Sequence, residues 1–147
     1  MFAQHGNYSL YSDHSIIIFE AFGAWNVEAS RNAIGKIKTI VDNMPTSAHG
    51  FIFDTHLVEG MTPDSYLVWS EAVNYWLSKG FNGLARIDDP ESAHYKLFVE
   101  GFDIMLKEII PFTFADDIAH ALSWLHELEF KGFENGLEVV KQSSNNL

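Results

Sequence analysis

The chain has 147 residues, 47% hydrophobic and 14% aromatic, which excludes a disordered polymer and provides for one domain with a substantial core. With 20 Asp and Glu against nine Lys and Arg, the net charge is −11; this excludes nucleic acid as a partner and opposes adsorption to anionic lipid. The absence of cysteine excludes disulfides and thiolate metal sites, and no apolar run reaches the roughly 18–20 residues of a membrane span.

Met1–Tyr11 lacks the basic start and apolar middle of a signal peptide. A cytoplasmic protein is expected, with any membrane contact peripheral and at the inner face. Asn7–Tyr11 and Ser15–Phe22 read as strands joined by a tight Asp13-His14 turn. The second strand carries Ile16, Ile17, Ile18 and Phe19, a run suited to the centre of a sheet. Asn26 then caps a helix over Asn26–Val41, and Met44-Pro45-Thr46-Ser47 ends it.

Gly50–Thr55 is a buried strand. Thr62-Pro63-Asp64 opens a helix to Lys79: Thr62 can cap, Pro63 suits the first helical position, and Asp64 favours the positive end of the dipole. Gly80 stops that helix, and Gly83–Asp88 is a short strand. Asp89-Pro90-Glu91 opens a helix to Ile110, Pro111–Phe114 is a last short strand, and Asp116 caps a final helix. The order β-β-α-β-α-β-α-β-α predicts an α/β fold: a mixed, mostly parallel sheet with an antiparallel edge strand. The domain is expected to span residues 1–130, with 131–147 a loose tail.

Two helices are more apolar than one supporting sheet requires. On a helical wheel the apolar arc of 62–79 covers roughly 200°, and that of 90–110 roughly 240°, whereas a helix on one sheet needs little more than 100°. The first helix is the internal control, with Ala29, Ala33, Ile37, Ile40 and Val41 on one face and Glu28, Arg31, Lys36, Lys38 and Asp42 on the other. The surplus on the other two must be covered by core, by a second copy in a homodimer, or by a ligand.

Catalytic and metal patterns are sparse. His-Glu-x-x-His, Gly-x-Ser-x-Gly and the phosphate-cradling glycine loops are absent. Asp116 with His120, one turn apart and with Asp117 as a third candidate, is the best metal pairing, and it lies where acids are expected for capping. His56 and Glu59 follow a strand end, where α/β enzymes place catalytic groups, without a nucleophile to serve. No enzyme, metal or cofactor is expected.

Four signatures come in a characteristic order: Phe22-Gly23-Ala24-Trp25-Asn26 before the first helix; Phe51-Ile52-Phe53-Asp54 followed by Val58-Glu59-Gly60-Met61-Thr62-Pro63; Trp76-Leu77 with Gly80, then Ala85; and Asp116-Asp117 leading to Ala121, Trp124 and Leu125. Over residues 7–128 this resembles the SpoIIAA-like branch of the STAS superfamily. The resemblance implies helices gathered mainly on one side of the sheet. For anti-sigma factor antagonists of the wider superfamily, it implies partner switching by phosphorylation of a serine at the start of the second helix. That position falls near Asp64, where the serine-serine-glycine run is missing and Thr62 and Asp64 already serve as caps. It also implies the binding of apolar ligands or membranes, a role suggested for members of the branch.

The expected function is therefore a non-catalytic binding protein for an apolar or lipid-like molecule, with peripheral membrane contact through helices 62–79 and 90–110. Tyr66, Trp69, Val73 and Trp76 would line one wall of the site, and Tyr95, Phe98, Phe102 and Met105 the other. The alternative is a STAS-type protein-interaction module acting through Thr62, Asp64 and Ser65.

Overall fold

The structure is a computed structural model and describes residues 6–137. Five strands form one sheet in sequential order: β1 (Asn7–Asp13), β2 (Ile16–Trp25), β3 (His49–Met61), β4 (Phe81–Ile87) and β5 (Phe112–Phe114). β1 and β2 form an antiparallel hairpin turning at His14, which takes a φ of 49°, and every later pairing is parallel. The helices are α1 (Val27–Asp42), α2 (Pro63–Ser78), α3 (Ala93–Phe98), α4 (Glu100–Lys107) and α5 (Ile118–Glu127).

The isoleucine run of β2 explains the two-layered cover. Side chains alternate along a strand. Ile17 and Phe19 accordingly enter a core with Ala33 and Ile37 of α1, Trp69 and Trp76 of α2, and Leu106 of α4. Ile16 and Ile18 enter a second core with Ala121, Leu122 and Leu125 of α5. With α1, α2 and α4 on one face, α5 on the other and α3 beside β3, the helices show the one-sided bias expected.

Local chemistry places the elements. The Asn26 side chain accepts the Ala29 N–H at 2.9 Å and starts α1. Gly80, at φ +98°, closes the turn after α2, where an added Cβ would lie 1.9 Å from the Ser47 carbonyl oxygen. β3 is far longer than expected. Its first half pairs with β4 through Asp54, and its second half continues to Met61 against β2 alone. The edge left beside that second half is where α3 lies; a Cβ on Gly60 would touch the Phe98 ring at 3.9 Å.

Two expectations are corrected. The helix expected over 90–110 is two helices meeting at Val99, so a single wheel does not describe it. The cap of α5 is Asp117, whose carboxylate accepts the His120 N–H at 2.8 Å, not Asp116. The packed chain also runs past residue 130. Ser15 N–H donates to the Lys131 carbonyl at 2.9 Å, the Asp13 carboxylate accepts the Phe133 N–H at 2.8 Å, and Phe133 and Leu137 are buried. The rest of the expected tail, 138–147, lies outside the described residues.

Candidate functional site

The surplus apolar surface of α2 is divided among three neighbours. Trp69, Val73 and Trp76 face the sheet core. Val68, Ala72 and Tyr75 border a shallow groove shared with Ile34 and Gly35 of α1. Tyr66 stacks on Phe102 of α4, ring centroids 4.4 Å apart. The wide apolar stripe of α2 thus serves the sheet, α1 and α4 together.

Packing between α2, the sheet and α3–α4 leaves an apolar cavity of about 50 Å³. The sheet supplies its floor through Phe51 and Phe53 of β3 and Leu84 and Arg86 of β4. α2 supplies Trp69, Val73 and Trp76; α3–α4 supply Phe98, Phe102 and Leu106, with Val99 at the junction. Five of the eight residues expected to line a site therefore converge here. Tyr66 stands beside it, against Phe102. The other two are displaced, because the break at Val99 turns the two short helices differently: Tyr95 is buried in a polar cluster, and Met105 is 36% exposed, on the outside. Leu97, Ile104 and Ile109 are also exposed.

The polar cluster fixes α3 and α4 to the sheet. Arg86 donates to Asp103 from Nη2 at 2.7 Å and from Nε at 3.1 Å, and the Tyr95 hydroxyl donates to Asp103 at 2.8 Å. Burial, with the Asp103 carboxylate beside it, pushes the Tyr95 phenol well above its usual pKa. Residues 95 and 103 would stand about 12 Å apart along one straight helix; the bend at Val99 lets both reach Arg86. A cation within Leu84-Ala85-Arg86-Ile87 was the signal available in sequence, since a buried charge requires a partner.

Two of the three residues at the start of α2 reach solvent. Thr62 and Asp64 are exposed, while Ser65 is fully buried, its Oγ 2.8 Å from the Thr62 Oγ1. Thr62 makes no side-chain bond to the helix backbone. The Asp64 carboxylate takes the Ser65 N–H at 3.0 Å, and a hydrogen bond with Thr62 holds its pKa below the usual value. The corner is tied to the end of β2 by the Thr62 N–H on the Trp25 carbonyl, 3.0 Å.

The catalytic and metal candidates stay apart from any such site. His56 pairs with Asp54; it borders a shallow depression with Asp88, Asp89 and Asp116, and Glu59 is not among its walls. Thr55 donates to Asp88 at 2.5 Å, and His94 Nε2 lies 2.9 Å from the same carboxylate. His120 faces Asp117 at 3.0 Å. Among the described residues no group of three or more His, Asp or Glu side chains could hold a metal ion.

Comparison with known proteins shows the fold. No family model matches the sequence, and no curated protein matches it. An uncharacterised protein of the DUF3478 family with a SpoIIAA-like fold, from Shewanella loihica PV-4, superposes with a TM-score of 0.59 at 17% identity, covering 85% of this chain and 97% of that one. The anti-sigma factor antagonist SpoIIAA in its unphosphorylated form superposes with a TM-score of 0.55 at 15% identity, covering 82% and 98%. The chain has a SpoIIAA-like fold.

Proposed function

We propose that this chain is a non-catalytic regulatory module that binds a protein partner at the corner between β3 and α2. The observation that supports this reading is the fold shared with SpoIIAA, an anti-sigma factor antagonist and so, by name, a protein that acts on another protein's control. The corner fits the role, because Thr62 and Asp64 are exposed on a rigid, hydrogen-bonded turn. With Ser65 buried, any phosphate at this corner would go to Thr62. The test is cross-linking capture from the source cells with the wild-type chain and an Asp64→Lys variant of equal stability. The expected result is a partner captured by the wild type and lost by the variant. A set of captured proteins unchanged by the variant overturns this reading.

One observation favours a second reading, that the cavity holds a small apolar molecule. Its walls are almost wholly apolar and aromatic, as ligand sites tend to be. At about 50 Å³ it is far below the roughly 300–1,000 Å³ of pockets for drug-sized ligands, so the occupant is small, not an acyl chain. Peripheral membrane contact has no comparable support. No helix among the described residues is long and apolar enough to cross a membrane, and the net charge of −11 opposes an anionic bilayer surface. Benzene titrated into the protein checks this reading. Perturbed resonances of Trp69, Phe98 and Phe102 support it; an unchanged spectrum overturns it.

A further inference from the structure

The two edges of the sheet are built differently. β5 is three residues long, follows Pro111, and has the Lys107 ammonium 5.0 Å from the ring centroids of both Phe112 and Phe114. A short strand, a proline and a lysine are devices that keep an edge from pairing with another chain. β1 has none of them. It runs seven residues with no break in its register against β2. Asn7-Tyr8-Ser9-Leu10-Tyr11-Ser12 carries neither charge nor proline, in a chain of net charge −11. The strand is also held firmly: Tyr8 stacks on Phe19, ring centroids 5.3 Å apart, and its hydroxyl donates to the Asn32 side chain at 2.6 Å.

Backbone groups turn alternately to the two sides of a strand. Gly50 N–H donates to the Ser15 carbonyl at 2.9 Å, so Ser15 and Ile17 face β3, and Ile16, Ile18 and Glu20 face β1. Their partners in β1 are Asp13, Tyr11 and Ser9, which are bonded inward. Tyr8, Leu10 and Ser12 therefore point their N–H and C=O groups away from the sheet. Among the described residues no other strand and no further backbone bond meets these three.

We infer that β1 pairs edge to edge and antiparallel with β1 of a second copy, across a two-fold axis at Leu10, so that two sheets become one. Each hydrogen-bonded antiparallel pair exchanges two bonds. Within β1, only the register that sets Leu10 opposite its own copy, and Tyr8 opposite the second copy's Ser12, engages all three outward residues. The side chains agree with it. Leu10 meets Leu10 on the α1 face, and Ser9 lies opposite the second copy's Tyr11 on the other face. Asp13 falls opposite the second copy's Asn7, so no like charges oppose each other although both copies are strongly acidic. This self-match commits the edge to a second copy. The pairing does not rest on the corner proposed above.

Sedimentation equilibrium of the full chain tests the pairing. The wild type is expected to show a monomer–dimer equilibrium; a chain still monomeric at about 1 mM overturns the inference. Ser12 is exposed, and Ser12→Pro removes an outward N–H at the kind of position where an edge strand tolerates proline. With circular dichroism unchanged, it is expected to weaken dimerisation about thirty-fold, the worth of two symmetry-related hydrogen bonds. A dimer equally strong in Ser12→Pro overturns the inference. Should that variant fail to fold, isotope-filtered NMR on a mixture of differently labelled wild-type copies decides. A contact between the α-protons of Ser9 in one copy and Tyr11 in the other is expected, because that pair is the closely spaced, non-hydrogen-bonded kind. Its absence from the dimer overturns the inference.

Discussion

Arg86 and Asp103 meet inside the protein as a two-pronged ion pair, their side chains 5% and 0% exposed. Arg86 comes from the sheet and Asp103 from α4, so the pair ties the outer helices to the strands that floor the cavity. The Arg86 guanidinium also lies over the Phe53 ring, 5.1 Å from its centroid. A buried pair of this kind is an expensive way to join two elements, because both ions lose water. Its strength shows when one partner is removed and the other is left alone.

Asp103→Ala should therefore destabilise the protein by about 3–5 kcal/mol. Arg86→Met combined with Asp103→Leu should recover a large part of that loss, since no charge is then stranded. Urea denaturation of the single and double variants provides the measurement. A double variant as unstable as Asp103→Ala would contradict the argument.

His49 provides a pH-dependent contribution. Its ring lies between Phe51 and Phe81, fully buried and with neither nitrogen hydrogen-bonded among the described residues, and burial lowers its pKa from 6.5 to about 4. Between those values the unfolded chain takes up a proton that the folded chain refuses. The contribution is complete above pH 6.5 and is lost as the pH falls toward about 4. Over that window it is worth about 3 kcal/mol. His49→Phe should lose about 2 kcal/mol less stability than the wild type between pH 7 and pH 4.5. Urea midpoints of both proteins at the two pH values decide, and equal losses would refute the prediction.

The two sides of α4 should respond in opposite ways. Leu106 is 1% exposed against the cavity and Ile104 is 60% exposed on the outside. Leu106→Ala removes packed atoms and should cost about 2–5 kcal/mol. Ile104→Ser should change stability by no more than about 0.5 kcal/mol. Thermal or urea unfolding of the two variants is the check; a large loss for Ile104→Ser would mean that this face is covered.

The element order and the parallel sheet with its antiparallel edge were legible in the chain, because short-range rules write them. An unbroken apolar run such as Ile16 to Phe19 marks a strand buried on both faces, and Asn26 marks a helix start within one turn of itself. The SpoIIAA-like fold could be expected from the order of such signals. Five cavity residues were legible too, since Trp69, Val73, Trp76, Phe98 and Phe102 stand on the inner sides of their helices.

Only the tertiary structure decided the rest. The break at Val99 lets Tyr95 and Asp103 meet at Arg86, a residue of another element that no wheel contains. That break sends Met105 and Ile104 outward and opens α3–α4 over the long second half of β3. Whether an apolar side chain fills a core, lines a void or faces water depends on what stands opposite it. Periodicity along one helix records which residues share a face, and only packing across elements determines whether Trp76 finds a partner for its N–H.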